Sequence, residues 1–359
     1  MGISTQSFGK TKAGRQVDLH ILRNAKGMVL KVLSLGGIIH SLELPDRDGK
    51  VANLSCNLET LGEYEARRPF FGTLVGRFAN RIAGGRFSID GKECRLALNN
   101  PPDKPVCSLH GGLRGFDAVI WGVEPYEKSG TLGLLMSYTS SDGEEGYPGK
   151  LDVKVAYEIN DGNELIMDYS ATTDRRTHVN LTNHTHWNLA GVQSGSILGH
   201  ELMLNSDSFL TTDASLIPTG DIAKVAGGPL DFRKAKKVGK DIGLVRERHF
   251  NGGFDHCFII NQARPGELTL CAKLSDPGSG RMMEMWTTEP AVQFYSGNFL
   301  DGSLRAFGHE YAKHGALCLE AQHYPDSPNQ KAFPSTVLDP GQTYRQRTVH
   351  KFSVDKSGG

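Results

Sequence analysis

The chain has 359 residues, and its 40 Lys and Arg balance 40 Asp and Glu; zero net charge removes the polyelectrolyte attraction that draws proteins to nucleic acid or an anionic membrane face. Hydrophobic residues make up 38% and charged residues 22%, enough apolar material for a packed core and too few unpaired charges for wholesale disorder. No apolar run approaches the roughly 20 residues that span a bilayer, and the opening MGISTQSFGKTKAGRQV lacks the apolar stretch of an export signal.

Apolar residues recur mostly with period two, in short segments bounded by Gly, Asp and Asn, which is the pattern of antiparallel strands. The 43 glycines, without any repeat, add many tight turns. Gly27–Leu44 reads as strand and Leu58–Arg67 as a short amphipathic helix. Next comes Gly76-Arg77-Phe78-Ala79-Asn80-Arg81-Ile82, where two arginines flank an Asn just before a hairpin; the Arg81 fork suits sugar or carboxylate oxygens, or a plain salt bridge. The hairpin itself is Arg86–Leu96, turned by Asp90-Gly91, a pair that tolerates positive φ. His110 stands on the Gly-rich turn Leu109–Gly112, where backbone can approach a ligand. Thr131–Thr139 reads as strand, and Leu151–Ile159 and Glu164–Ser170 form a hairpin around Asn160–Asn163.

In Asn180–Leu189 polar and aromatic residues crowd one stretch, and an extended backbone puts His184 and His186 on one face. A metal pair is one reading, but a cupin-type pair wants a Glu three or four residues later, where this chain has Trp187-Asn188-Leu189-Ala190-Gly191. No metal ligand is therefore expected, and a histidine hydrogen-bonded in the core is the plain alternative, above all for His186. Gly252-Gly253-Phe254-Asp255-His256-Cys257 offers a carboxylate able to accept two hydroxyls, or an ordinary turn. Leu268–Leu274 and Met282–Thr287 read as strands and Arg305–Lys313 as a short helix. Glu320, in Leu317–Asn329, ends an apolar strand, where a carboxylate must be desolvated or paired. Six scattered cysteines without a CxxC read as reduced thiols, and nothing resembles GxSxG, a P-loop or a dinucleotide fingerprint. With no linker and no repeat, residues 1–359 are expected to form a single all-β domain, a large antiparallel β-sandwich.

These segments together resemble the aldose 1-epimerase, or galactose mutarotase, family. Agreement runs in order from about Phe71 to Phe352, through Gly-Arg-Phe-Ala-Asn-Arg-Ile at 76–82, Leu-His-Gly-Gly at 109–112, Gly-Phe-Asp at 115–117 and Glu-Gly-Tyr-Pro-Gly at 145–149. It continues in Asn-His-Thr at 183–185, Val-Gln-Phe-Tyr-Ser-Gly-Asn-Phe at 292–299 and Pro-Asp-Ser-Pro-Asn-Gln at 325–330. The resemblance implies a β-supersandwich with the sugar in an open cleft and a reaction without cofactor. Carried over by position, Glu320 resembles the family's general base, His184 its general acid and His110 its second active-site histidine; Asn80, Arg81, Asp255 and Gln293 match the residues that grip sugar hydroxyls. The family's Tyr-Phe after Asn-His-Thr is His186-Trp187 here, its Thr after the catalytic Glu is Ala321, and the Asn after Gly-Tyr-Asp-His is Cys257. Those departures bear on sugar preference.

Anomer exchange requires taking the proton from the C1 hydroxyl while giving one to the ring oxygen, so two groups of opposite proton state suffice and no metal or nucleotide is demanded. The expected partner is a small aldose, with no nucleic acid and no membrane, the expected assembly a monomer or weak dimer, and the expected compartment the cytoplasm, or the periplasm or exterior if a leader has been removed. Three alternatives stand beside this reading. A hexose-phosphate epimerase needs a cationic phosphate pocket, a glycoside hydrolase needs paired carboxylates about 5–10 Å apart, and a carbohydrate-binding protein needs neither acid nor base.

Overall fold

Alternation of apolar and polar side chains becomes three large antiparallel sheets, with several two-stranded ones beside them, in a computed structural model, which describes residues 1–245 and 251–356. Five strands, Gly2–Lys10, Gln16–Arg23, Val29–Leu33, Ile39–Pro45 and Val51–Asn53, pair in chain order. The run expected as one strand over Gly27–Leu44 is thus two, because Gly36 and Gly37 take φ of 63° and 54° and fold the chain back. A nine-stranded sheet follows in the order Gly122–Lys128, Thr131–Ser140, Leu151–Asn160, Glu164–Thr173, Tyr344–Val354, Arg281–Thr287, Thr269–Ser275, Glu201–Leu204 and Lys236–Lys237. Its C-terminal strand Tyr344–Val354 lies between Glu164–Thr173 and Arg281–Thr287 and so ties distant halves of the chain together. The six-stranded sheet has the order His186–Trp187, Leu317–Gln322, Ala291–Tyr295, Asp255–Ile259, Ser208–Thr212 and Pro218–Lys224.

Local signals account for most of the turns. Asp90 and Gly91 both have positive φ between Arg86–Ile89 and Lys92–Arg95, as the turn chemistry requires. Helix Leu61–Arg67 starts on a capping box, with Thr60 and Glu63 each satisfying the other's backbone N–H. Arg305–Lys313 is not a helix: Arg305–Ala306 pairs with His309–Glu310 around Phe307 and Gly308, both at positive φ, so a tight hairpin turn wins over the weak helical period.

A continuous apolar cluster runs from Leu22 and Leu30 through Val153, Val155, Met283 and Met285 to Phe254, Phe258, Phe294, Leu317 and Leu319. In the strand Leu317–Gln322 every residue is buried. Leu317, Leu319 and Ala321 belong to that core cluster, while Cys318, Glu320 and Gln322 alternate onto the opposite face. Glu320 therefore sits in mid-strand and does not end it; the pairing runs on to Gln322. A carboxyl is buried there because loops from elsewhere in the chain roof that face.

Candidate active site

Strand register builds the floor. In antiparallel strands, residues directly opposite one another point to the same side. His186 faces Cys318, Cys318 faces Tyr295 and Tyr295 faces Asp255, which makes one row across four strands. In the next row Glu320 faces Gln293 and Gln293 faces Cys257. Above these rows is a cavity of about 540 Å³ lined by Asn80, Arg81, His110, His184, Asp255 and Glu320 among others. A larger cleft of about 910 Å³ elsewhere on the molecule contains none of the expected site residues.

The walls are loops pinned by buried backbone contacts. Arg77, expected as half of an arginine pair, faces away from the cavity: its buried guanidinium donates to Ser140 Oγ and to the carbonyls of Ser140, Ser141, Pro148 and Gly149. Gly111 lies so close to the Gly76 carbonyl that any Cβ would collide with it, and its φ of 87° is in the region that glycine favours. That close approach brings the His110 turn against the Asn80–Arg81 segment. Asn80 Oδ1 accepts from the Arg81 backbone N–H at 2.9 Å and from Arg81 Nη1 at 3.4 Å, and Asn100 Oδ1 accepts from Arg81 Nε at 3.2 Å. Asp326, from the Pro325–Gln330 segment, donates its backbone N–H to the Arg81 carbonyl at 2.8 Å. Arg81 is thus held in place, and Asn80 braces it.

Both histidine tautomers have identifiable neighbours. The Asn80 backbone N–H donates to His110 Nδ1 at 3.1 Å. Burial, reinforced by His184 and Arg81, pushes His110 well below the usual histidine range, so it is neutral and its remaining hydrogen is on Nε2. His184 is stacked between Phe70, at 5.9 Å and 24°, and His186, at 4.9 Å and 18°. Cys318 Sγ lies 3.5 Å from its Nδ1, and Glu320 Oε2 lies 3.6 Å from its Nε2. Burial pushes His184 down to about 4. Burial and the Asp255 charge push Glu320 well above the usual carboxylate range, with Arg81 opposing. Each charged form is disfavoured alone, so the pair holds one proton in the neutral range.

Gln293 is the one expected hydroxyl-gripping residue that does not line the cavity. It lies behind Asp255, donating from Nε2 to Asp255 Oδ1 at 2.6 Å. Buried Gln293 Oε1 and Glu320 Oε2 lack a hydrogen-bond partner within the protein. Asn100, Phe70, Tyr295 and Cys318 complete the surroundings, and none of them was singled out from the sequence. Period two could have found Cys318, since it shares a strand face with Glu320.

Two sets of side chains, His184–His186–Cys318 and His110–His184–Glu320, have donor atoms within 4.8 Å of one another. Their orientations do not favour an ion. The stacked rings of His184 and His186 hold their in-plane lone pairs in parallel planes, and His110 turns an N–H, not a lone pair, to the cavity.

The family model described as aldose 1-epimerase matches residues 18–351. Galactose mutarotase of Sus scrofa is 43% identical over 355 residues, covering 99% of each chain, and aldose 1-epimerase of Escherichia coli K12 is 34% identical, covering 95% of this chain and 97% of its own. The crystal structure of a GalM/aldose epimerase homologue from C. elegans superimposes with a TM-score of 0.84 at 30% identity, covering 93% of this chain and 98% of that one.

Proposed function

The chain belongs to the aldose 1-epimerase family and interconverts the anomers of a free aldose, and we propose that it does so with Glu320 as base, His184 as acid and His110 as a neutral donor to the sugar. The observation that carries the assignment is the placing of Glu320 Oε2 3.6 Å from His184 Nε2 at the cavity floor. Passing their shared proton from Glu320 to His184 yields a carboxylate and an imidazolium. The carboxylate then takes the C1 hydroxyl proton as the imidazolium protonates the ring oxygen, and the C1–O5 bond opens to the aldehyde. Rotation about C1–C2 and reversed transfer close the ring with the other configuration, and neither group is consumed.

Arg81 and Asp255 line the same cavity and are suited to hold hydroxyls, Arg81 as donor and Asp255 as acceptor; Asn80 and Gln293 hold these two in place. Arg81 is the one Arg or Lys among the described lining residues, against two carboxyl groups, which fits a neutral hexose such as galactose or glucose and not a sugar phosphate. The names of the relatives favour galactose. Six free cysteines, five of them buried, support a reducing compartment, the cytoplasm. No helix among the described residues is long and apolar enough to cross a membrane.

Polarimetry on freshly dissolved α-galactose and α-glucose tests this reading. Faster decay of rotation with protein, unchanged after dialysis against a chelator, is expected. Saturable sugar binding without faster decay would make the protein a carbohydrate-binding module instead.

A further inference from the structure

The groups around His184 divide by face and edge. Phe70 and His186 cover its two ring faces, His110 stands edge-on at 5.1 Å and 76°, Glu320 is at Nε2 and Cys318 is at Nδ1. The ring also hydrogen-bonds its own backbone carbonyl, and Cys318 is the side chain that stands at Nδ1. His186 does not compete for it, because its own Nδ1–H donates to the His184 carbonyl at 3.3 Å. Cys318 is fully buried, and burial together with the Glu320 charge pushes its thiol well above the usual range, so it stays neutral.

From this geometry we propose that Cys318 is a positioning residue for the reaction: its sulfur accepts the Nδ1–H of His184 throughout the cycle, leaving Nε2 as the nitrogen that exchanges the proton. This rests on His184 being the acid. Were the thiol the donor, neutral His184 would carry its hydrogen on Nε2, and no lone pair would face Glu320. Glu320 could then not pass its proton across. With Nδ1–H on sulfur, Nε2 gains a proton from Glu320, gives it to the ring oxygen and later takes it back, while Nδ1 keeps its own. A neutral sulfur adds no charge, so the imidazolium remains a willing acid; a carboxylate at this position would hold it charged.

Nitrogen NMR of ¹⁵N-histidine-labelled protein, with His184 identified by its absence from His184→Asn, tests the proposal together with kinetics. The parent should show the Nδ1–H tautomer. Cys318→Ala and the closer-fitting Cys318→Val should shift His184 to Nε2–H and lower kcat about 10- to 100-fold, the usual scale for a lost orienting partner, with KM little changed. Cys318→Ser, whose hydroxyl oxygen can accept, should restore the Nδ1–H tautomer and much of kcat. Persistence of Nδ1–H in Cys318→Ala or Cys318→Val, or parental kcat in either, would overturn the proposal. A His184→Asn protein of parental activity would instead sink the acid assignment, whatever the tautomer.

Discussion

His110 and His184 differ in what stands behind the ring: a backbone N–H holds Nδ1 of the first, and a thiol faces Nδ1 of the second. The proposed roles follow this difference: a fixed hydrogen-bond donor in one place and a proton carrier in the other. Asp255 depends on its neighbour in a similar way, since Gln293 already occupies Oδ1 at 2.6 Å and fixes the direction in which the carboxylate faces the cavity. Asp255→Asn keeps the shape and loses charge-assisted acceptance, so KM for the aldose should rise and kcat should fall with poorer orientation. Unchanged saturation curves for every aldose that reacts would remove Asp255 from the sugar site.

The strand Leu317–Gln322 serves two purposes, one on each face. Leu319, 3% exposed, packs in the core opposite the face that carries Glu320, and Leu319→Ala should cost about 2–5 kcal/mol of stability. A drop in urea midpoint with kcat largely kept below the melting transition is the expected result; a large kcat loss in a protein of normal stability would show that the two faces are coupled. Elements of this kind were legible because alternation is a local signal, and Asp90-Gly91 announced its hairpin for the same reason. Arg305–Lys313 misled because two turns of weak amphipathic period outweighed a single Gly308, which in the fold is the turn residue. Glu320 was recognised, but its place in mid-strand was not, since the roof that buries the strand beyond it comes from residues hundreds of positions away. Phe70 and Asn100 escaped notice for a related reason: ring stacking and a brace on Arg81 are set by tertiary approach and leave no spacing to read.

At the scale of the whole molecule, buried neutral histidines make the fold sensitive to acid. Burial is the first cause in pushing His40, His178 and His200 down to about 4 and His350 down to about 3. An unfolded histidine titrates near 6.5. Between roughly pH 6.5 and 4 the unfolded chain therefore binds more protons, and each such histidine removes up to about 1.4 kcal/mol of stability per pH unit as pH falls. The stabilisation is complete above pH 6.5 and is lost on the way down to the folded values. Glu320 and His184 cancel in this window, because the pair holds one proton both folded and unfolded. Urea midpoints should accordingly fall steeply below pH 6, and His350→Leu should flatten the slope. Midpoints that hold or rise between pH 7 and 5 would contradict this account.

In the proposed mechanism all the chemistry converges on one proton shared between two buried groups, and the active form is the singly protonated pair. Its pH–rate profile should be a bell, rising as the doubly protonated pair loses its first proton and falling as the pair loses the second, with both midpoints belonging to the pair. Glu320→Gln and His184→Asn should each cost on the order of 10²–10⁴ in turnover while sugar binding largely survives. The double variant should lose far less than the product of the two single losses, since groups that act as a unit are non-additive. The most direct measurement is the anomer-exchange rate of Glu320→Gln, followed by polarimetry at saturating aldose on protein whose circular dichroism and melting match the parent. A loss of about 10²-fold or more is predicted; a correctly folded Glu320→Gln protein exchanging anomers at near the parental rate would contradict the assignment and move the base to His110 or Asp255.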